Sequence, residues 1–407
     1  MHKKKLLFFI FCFLSAVLLY FTESQGLKVV LLAGIIYSAT LIKGINQFLV
    51  YMCVSVVAQN IESPALLLIG TLPLFISPAS FKSASKHLIP LVIIAVLAGI
   101  SYTVGENCQI TTMMVYFTSL LVFVQVMDSN ISHEEFFQYS ALAAVILITV
   151  LGYSAINGTL ELRYGRISIN GNIREVANLI SIPVFSSWSM IMLQENKRII
   201  LYYIVGLASS FVLLLTISKG ALAATGGGLM IVYLASTRKF HMRSIFSIGL
   251  ASVAVVVIFM YAQTLEGYHF GRLFDEYDGF SGRTEIWELY LYHFKENFST
   301  VLFGFGPGDL KRLMITEYYA HSLFLDMLFC YGVAMALVWI IILASITRMV
   351  FKSKDAFAMG LFVFTVLLFA THGNVTFPMF YVQTGVAISF AKCNRIESHY
   401  YSKAYFN

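Results

Sequence analysis

The sequence predicts an all-α, polytopic integral membrane protein with about 12–14 transmembrane helices and one longer loop on the extracytoplasmic side. Three observations carry that expectation. Of 407 residues, 58% are apolar and only 12% are charged, with a mean hydropathy of +0.79, far outside the composition of a soluble domain. Apolar stretches of about 17–22 residues recur along the chain, each long enough to cross ~30 Å of hydrocarbon as a helix. Between them the basic residues lie in short clusters.

The opening segment, MHKKKLLFFIFCFLSAVLLYF, joins three lysines to an apolar run, and no small-residue cleavage site follows. It reads as a retained signal anchor with its lysines in the cytoplasm. Spans are expected near 6–22, 27–43, 47–61, 62–77, 87–104, 109–127, 137–155, 175–193, 199–217, 220–236, 244–262, 320–347, 356–372 and 375–391. The pair at 47–61 and 62–77 is short and is joined by Asn60-Ile61-Glu62-Ser63. An even number of spans keeps both termini inside.

The lysine and arginine bias orients these spans. Lys43, Lys82 with Lys86, Lys197 with Arg198, Arg238-Lys239 with Arg243, Arg348 through Lys354, and Lys392 with Arg395 all fall on one side, which the positive-inside rule makes cytoplasmic. The other side receives short turns and two larger loops, where function is to be sought. The expected organisation is N-terminal helices over 1–155, a loop at 156–174, central helices over 175–262, a large loop at 263–319, C-terminal helices over 320–391 and a cytoplasmic tail at 392–407.

Some chemistries are excluded at this level. The five cysteines are scattered, with no CxxC or Cys/His cluster at metal-ligand spacing, so neither a disulfide scaffold nor a metal site is indicated. A net charge of +6 could suggest a nucleic-acid partner, but the basic residues fall where the positive-inside rule puts them. Membrane lipid is the expected surrounding.

Against that rule, Arg163, Arg166 and Arg174 lie in the 156–174 loop, on the face that should be poor in cations. Lys219 begins a helix at the same face, the long loop adds Arg272 and Arg283, and His321 opens the next span. The planar fork of arginine donates paired, charge-assisted hydrogen bonds and stays charged near a low-dielectric boundary, which suits a pyrophosphate. The structural alternative is pairing with Glu161, Glu175, Asp275, Asp278, Glu285 or lipid headgroups.

Three stretches carry a family likeness. GRISINGNIREVANLIS resembles the arginine-glycine-asparagine lead into a span seen in the bacterial O-antigen polymerase and O-antigen ligase superfamily. TISKGALAATGGGLMIVYL is similar to that family's serine-arginine-glycine-alanine motif, with Lys219 standing where arginine is usual. The lysine keeps the charge and loses the bidentate geometry. GFSGRTEIWELYLYHFKENFSTVLFGFGPGDL followed by EYYAHSLFLDMLFCYGVAMAL resembles the family's long external loop and the helix behind it. There Arg283 precedes Trp287, and Ala320-His321-Ser322 leads into an apolar helix with Gly332. The likeness covers roughly residues 160–340.

The resemblance implies glycosyl transfer from an undecaprenyl-pyrophosphate-linked oligosaccharide on the periplasmic face of the bacterial inner membrane, with no nucleotide sugar, metal or other cofactor. Arg166, Arg174, Lys219 and Arg283 are the candidates for holding the pyrophosphate, and His321 with Arg283 for catalysis. A neutral imidazole with a pKa near ~6.5 can accept the proton of an acceptor hydroxyl. Tyr318 and Tyr319 are candidates for stacking on a sugar ring. A polysaccharide chain-length regulator is a candidate partner.

Other features have structural explanations. Gly304–Gly308 lacks the lysine-serine/threonine ending of a phosphate loop and is expected to be a turn that reshapes the loop. Glycines 226–228 are expected to let two helices pack closely. Glu285 and Glu288 are expected to be solvated surface residues.

Two alternatives accompany the polymerase reading: a ligase that moves finished polymer onto lipid A core, and a flippase for lipid-linked oligosaccharide. A flippase would bury ionisable groups near the bilayer midplane or use paired broken helices, and here the charges sit at the ends of spans. A polyprenyl-phosphate glycosyltransferase is disfavoured, because the first external loop, Thr22-Glu23-Ser24-Gln25, has no paired carboxylates.

Overall fold

The computed structural model describes residues 85–157, 161–163, 166–168, 173–193, 199–236, 283–308, 310–313, 315, 320, 322–371 and 378–405, with isolated positions before residue 32. The spans expected at 6–22, 27–43, 47–61, 62–77 and 244–262 lie wholly or largely outside them. In chain order the described elements are α1 (Leu88–Val104), α2 (Ile110–Met127), α3 (His133–Ile156), β1 (Glu161–Arg163), β2 (Arg166–Ser168), α4 (Ile173–Met192), α5 (Ile199–Leu215) and α6 (Lys219–Ala235). They continue with α7 (Arg283–Phe294), α8 (Phe298–Phe303), a 3-10 turn at Leu310–Leu313, α9 (Leu323–Ser353), α10 (Ala356–Thr371) and α11 (Pro378–Tyr405). Among the described residues the protein is all-α apart from one small hairpin.

Among the described residues, α2, α3 and α9 are long and apolar enough to cross a membrane. Five shorter helices, α1, α5, α6, α10 and Val176–Met192 of α4, are also apolar. This is the pattern of a polytopic membrane protein. The chain divides into two units: residues 1–63, 131–275 and 359–364, and residues 64–130, 276–358 and 365–407.

In the first unit α4 is the central helix, and every residue from Val176 to Ile191 is buried. It packs against α3, α5, α6 and β2. Ser132 caps α3 by accepting from the Glu135 amide at 3.1 Å, in a capping box. Glu134 accepts from Tyr202 at 2.5 Å, tying the start of α5 to α3. Small residues set the closest helix approach. A Cβ on Gly228 would sit 2.6 Å from Phe364 Cβ and 3.0 Å from the carbonyl of Gly360, whereas one on Gly226 would meet nothing within 4 Å. Of these glycines, Gly228 thus has the close-packing role expected of the run. Gly228→Val is expected to cost about 1–3 kcal/mol by overpacking, read as a lower melting temperature of the detergent-solubilised protein.

In the second unit α2 packs on α11, and α9 packs on α1, α8 and α11. Its core is aromatic: Trp339 Nε1 donates to Tyr116 Oη at 3.0 Å, and Tyr116 lies against Tyr331 and Tyr381. One end of this unit gathers Lys86, His87 and Lys392 around Asp128, at 3.2, 3.5 and 2.8 Å. Lys86 and Lys392 were placed on one side of the membrane by charge bias, and the shared carboxylate puts them at one end of the bundle. α11 runs on to Tyr405, so the expected tail at 392–407 is helical as far as that residue.

The opposite end is built on glycines. α9 contains Gly332 at φ 77°, ψ −179°, a non-helical residue between two helical pieces. Gly304–Gly308, expected as a loop-shaping turn, is a buried segment that fills this break. Phe305 and Gly306 donate to the carbonyls of Phe329 (2.7 Å) and Cys330 (3.0 Å). On the other side Asn107 and Gln109 donate to Phe305 (2.8 Å) and Pro307 (3.0 Å). The segment thus satisfies backbone groups that a broken helix would otherwise bury unpaired. Cys108, in the α1–α2 connection beside it, donates to the Tyr102 carbonyl at 2.7 Å, and burial pushes its thiol up.

Candidate functional site

In the first unit the 156–174 loop is not wholly irregular. β1 and β2 pair antiparallel, with Glu161 opposite Ser168, Leu162 opposite Ile167 and Arg163 opposite Arg166. The signal was present in the sequence: Tyr164-Gly165 between two short segments with matched apolar positions is a hairpin pattern. β2 packs on α4, whose first turn carries Arg174.

Lys219 reaches the same end by topology. α5 returns antiparallel to α4, because Gly206 lies against Ser187 and Trp188. α6 then runs parallel to α4, with Gly228 against Phe185. α6 begins four residues after α5 ends, so Lys219 lies at the end of this unit where α5 ends and α4 begins. The first unit therefore brings Arg166, Arg174 and Lys219 to one end, away from the end where α4 stops and α5 starts.

The turn before Lys219 fixes where α6 starts. Ile217 is fully buried with φ 48°, a left-handed conformation that costs a β-branched residue of order 1–3 kcal/mol. Ser218 then takes the N-cap position and accepts from the Ala221 amide at 3.5 Å. Lys219 is exposed as the first residue of α6.

In the second unit Arg283 is the first residue of α7 and is half-buried. α7 is held by Ile286, Tyr290 and Phe294, one face at helical spacing, with Tyr290 stacked on Phe329 at 5.2 Å between ring centroids. One turn after Arg283, Trp287 Nε1 donates to the carbonyl of Ala320 at 2.7 Å. That bond ties the helix that starts with Arg283 to the residue before His321. His321, Tyr318 and Tyr319 lie outside the described residues. Glu285 and Glu288 are exposed, as expected.

The ends of this unit are distinct. α1 begins next to Lys86 and ends at Gly105, against the Phe305–Gly306 backbone. Ser101 Oγ, in the last turn of α1, donates to the Cys330 carbonyl at 2.8 Å. The start of α9 and its Trp287 tether therefore belong to the end away from Lys86, Asp128 and Lys392. At ~1.5 Å per residue α1 separates the two ends by roughly 25 Å.

One regularity unites the candidate cations. Arg174, Lys219 and Arg283 each occupy the first turn of a helix. The backbone amides there carry the positive end of the helix dipole, so a cation is disfavoured by about 0.3–1 kcal/mol and an anion is favoured. A side-chain cation added to free amides is a strong attractor for phosphate oxygens.

Asp326 is a residue that the sequence reading passed over. It is 3% exposed in the first turn of α9. Its signal was a lone carboxylate within the apolar run LFLDMLF.

No curated protein matches the chain significantly. A family model does: residues 204–340 match the model described as O-antigen ligase (Wzy_C). The matched stretch runs from α5 through the first half of α9 and includes Lys219, Arg283, Trp287, His321 and Asp326. Over this stretch, about a third of its length, the chain is similar to the O-antigen ligase family.

Proposed function

We propose that the protein is a polymerase of O-antigen or a related surface polysaccharide, joining undecaprenyl-pyrophosphate-linked oligosaccharides at the periplasmic face of the bacterial inner membrane. The observation that carries this reading is the set of helix first turns occupied by Arg174, Lys219 and Arg283, cations where an anion is favoured. Arg166, in β2 at the same end of the first unit, adds a further cation. In this reading the acceptor hydroxyl attacks the anomeric carbon of the donor sugar, and His321 takes its proton. The bond from the anomeric carbon to the pyrophosphate oxygen breaks, and the pyrophosphate leaves with the electron pair. Arg166, Arg174, Lys219 and Arg283 stabilise the charge it gains. Tyr318 and Tyr319 stack on the sugar, the chemistry needs no metal, and both termini are cytoplasmic.

The closest competitor is the ligase, which is also what the matched family model is described as. A deletion strain separates the two. Loss of a polymerase leaves lipopolysaccharide capped with a single repeat unit. Loss of a ligase leaves bare core and an accumulation of lipid-linked chains, and that result would overturn the polymerase reading.

Lys219 tests the anion site by itself. Lys219→Arg is expected to hold or raise polymer yield, since the arginine fork adds a second hydrogen bond to the same charge. Lys219→Ala is expected to lower it about 10-fold or more. A fully active Lys219→Ala removes Lys219 from the site.

A further inference from the structure

Where α7 turns into α8, two aromatic residues are exposed, Tyr292 at 67% and Phe298 at 78%. Leu289, about one turn earlier in α7, is exposed as well. Apolar side chains grouped in this way, beside the exposed Lys295, Glu296 and Asn297, mark an interaction surface.

The fold fixes the level of that turn. Phe294, the last residue of α7, lies against Phe305 at 6.0 Å between ring centroids. A Cβ on Gly105, directly after α1, would meet the Phe305 carbonyl and the Gly306 backbone at 2.5 Å. α8 packs on α1 and α9, and its short length keeps Phe298 within about 9 Å of its other end. The α7–α8 turn is therefore level with the end of α1, away from Lys86, Asp128 and Lys392. Along α7 the exposed residues change toward that level, from Glu285 and Glu288 to Leu289 and Tyr292.

The exposed side of α1 is apolar up to the same level. Ile89, Val92, Ile93, Val96 and Val104 lie on one side of the helix, opposite the buried Ile94, Ala98 and Ser101. On a span of this composition such a side faces hydrocarbon, and here it runs to the last residue, Val104. Ile110, the first residue of α2, is exposed next to it in sequence. A polar turn flanked by exposed aromatic residues at the end of a lipid-facing span has the composition of a membrane–water interface. There rings enter the acyl boundary while a lysine reaches up to the headgroups.

We propose that the α7–α8 turn is a lipid anchor. Phe298, Tyr292 and Leu289 insert at the headgroup–acyl boundary of the leaflet at the end away from Lys86, Asp128 and Lys392, with Lys295 at the level of the lipid phosphates. The anchor holds α7, α8 and the Gly304–Gly308 segment at a fixed depth. This does not depend on the polymerase reading.

The test uses the full-length protein in phosphatidylcholine liposomes, with one tryptophan added at a time to the three native ones. The variants are Phe298→Trp, Tyr292→Trp, Thr284→Trp in the first turn of α7, and Val104→Trp as the lipid-facing reference. Phosphatidylcholine brominated high on its acyl chains quenches an indole at the boundary. The emission added by Phe298→Trp and Tyr292→Trp is expected to fall about twofold or more in brominated liposomes, as for Val104→Trp, while that of Thr284→Trp changes little. Unquenched, red-shifted emission from Phe298→Trp and Tyr292→Trp means that water covers the turn, and overturns the proposal. Unquenched, blue-shifted emission means that protein covers it, as a second copy of the chain would, and overturns it as well. Quenching of Thr284→Trp equal to that of Phe298→Trp overturns the assignment of the anchor to the turn.

Discussion

Replacing Arg283 with alanine is expected to abolish long-chain polysaccharide while leaving the amount of protein in the membrane unchanged. Arg283 is the first residue of α7, and the packing face of Ile286, Tyr290 and Phe294 remains when its side chain is cut back. What is lost, on the proposed function, is a charge where the leaving pyrophosphate would gain charge, an effect of about 10²–10³-fold in rate for one such donor. His321→Ala is expected to cost about 10²–10⁴-fold through loss of the proposed base. A gel of surface polysaccharide from the complemented deletion strain reads both. Wild-type chain-length profiles from the two variants would remove these residues from the site.

Gly332→Ala is expected to do the reverse and deplete the folded protein. At φ 77°, ψ −179° the backbone occupies a region that only glycine visits readily, at a cost of about 1–3 kcal/mol for any other residue. A Cβ there would also collide with the backbone of Leu302 and Phe303, which cannot rotate away as a side chain could. Gly304, at φ 80°, meets the backbone of Cys330 and Tyr331 in the same way. Gly226→Ala is the control, because its Cβ enters open space and a helix gains by up to about 1 kcal/mol from that change. Membrane abundance and melting temperature in detergent measure the contrast. A Gly332→Ala protein as stable as wild type would mean that the break in α9 is not held by the Gly304–Gly308 segment.

Several elements were legible because one local rule governed each. The expected spans at 87–104, 109–127 and 199–217 correspond to α1, α2 and α5 within two residues at each end. An apolar run of bilayer length has no other way to satisfy its backbone than to become a helix. Within the longer loop the local pattern was less explicit. Residues 283–303 are polar enough to resemble loop, yet they form α7 and α8, because Tyr290 and Phe294 find Phe329 on a helix that follows them in sequence. Propensity could not foresee that contact. The 156–174 stretch was read by composition, which hid the pairing of β1 with β2.

The sequence by itself determined that this chain is a membrane protein, and it carried the expectation that Lys86 and Lys392 share a side and that Arg174, Lys219 and Arg283 lie on the other. These follow from hydropathy and charge bias, which act on each segment independently of its neighbours. Only the tertiary structure decided that Gly304–Gly308 plugs a broken helix, that Trp287 holds Ala320, and that Asp326 is buried just inside α9. The physical reason is that burial and hydrogen bonding join residues far apart in the chain. In the aqueous loops and at helix ends, contacts of that kind decide what a polar residue is for.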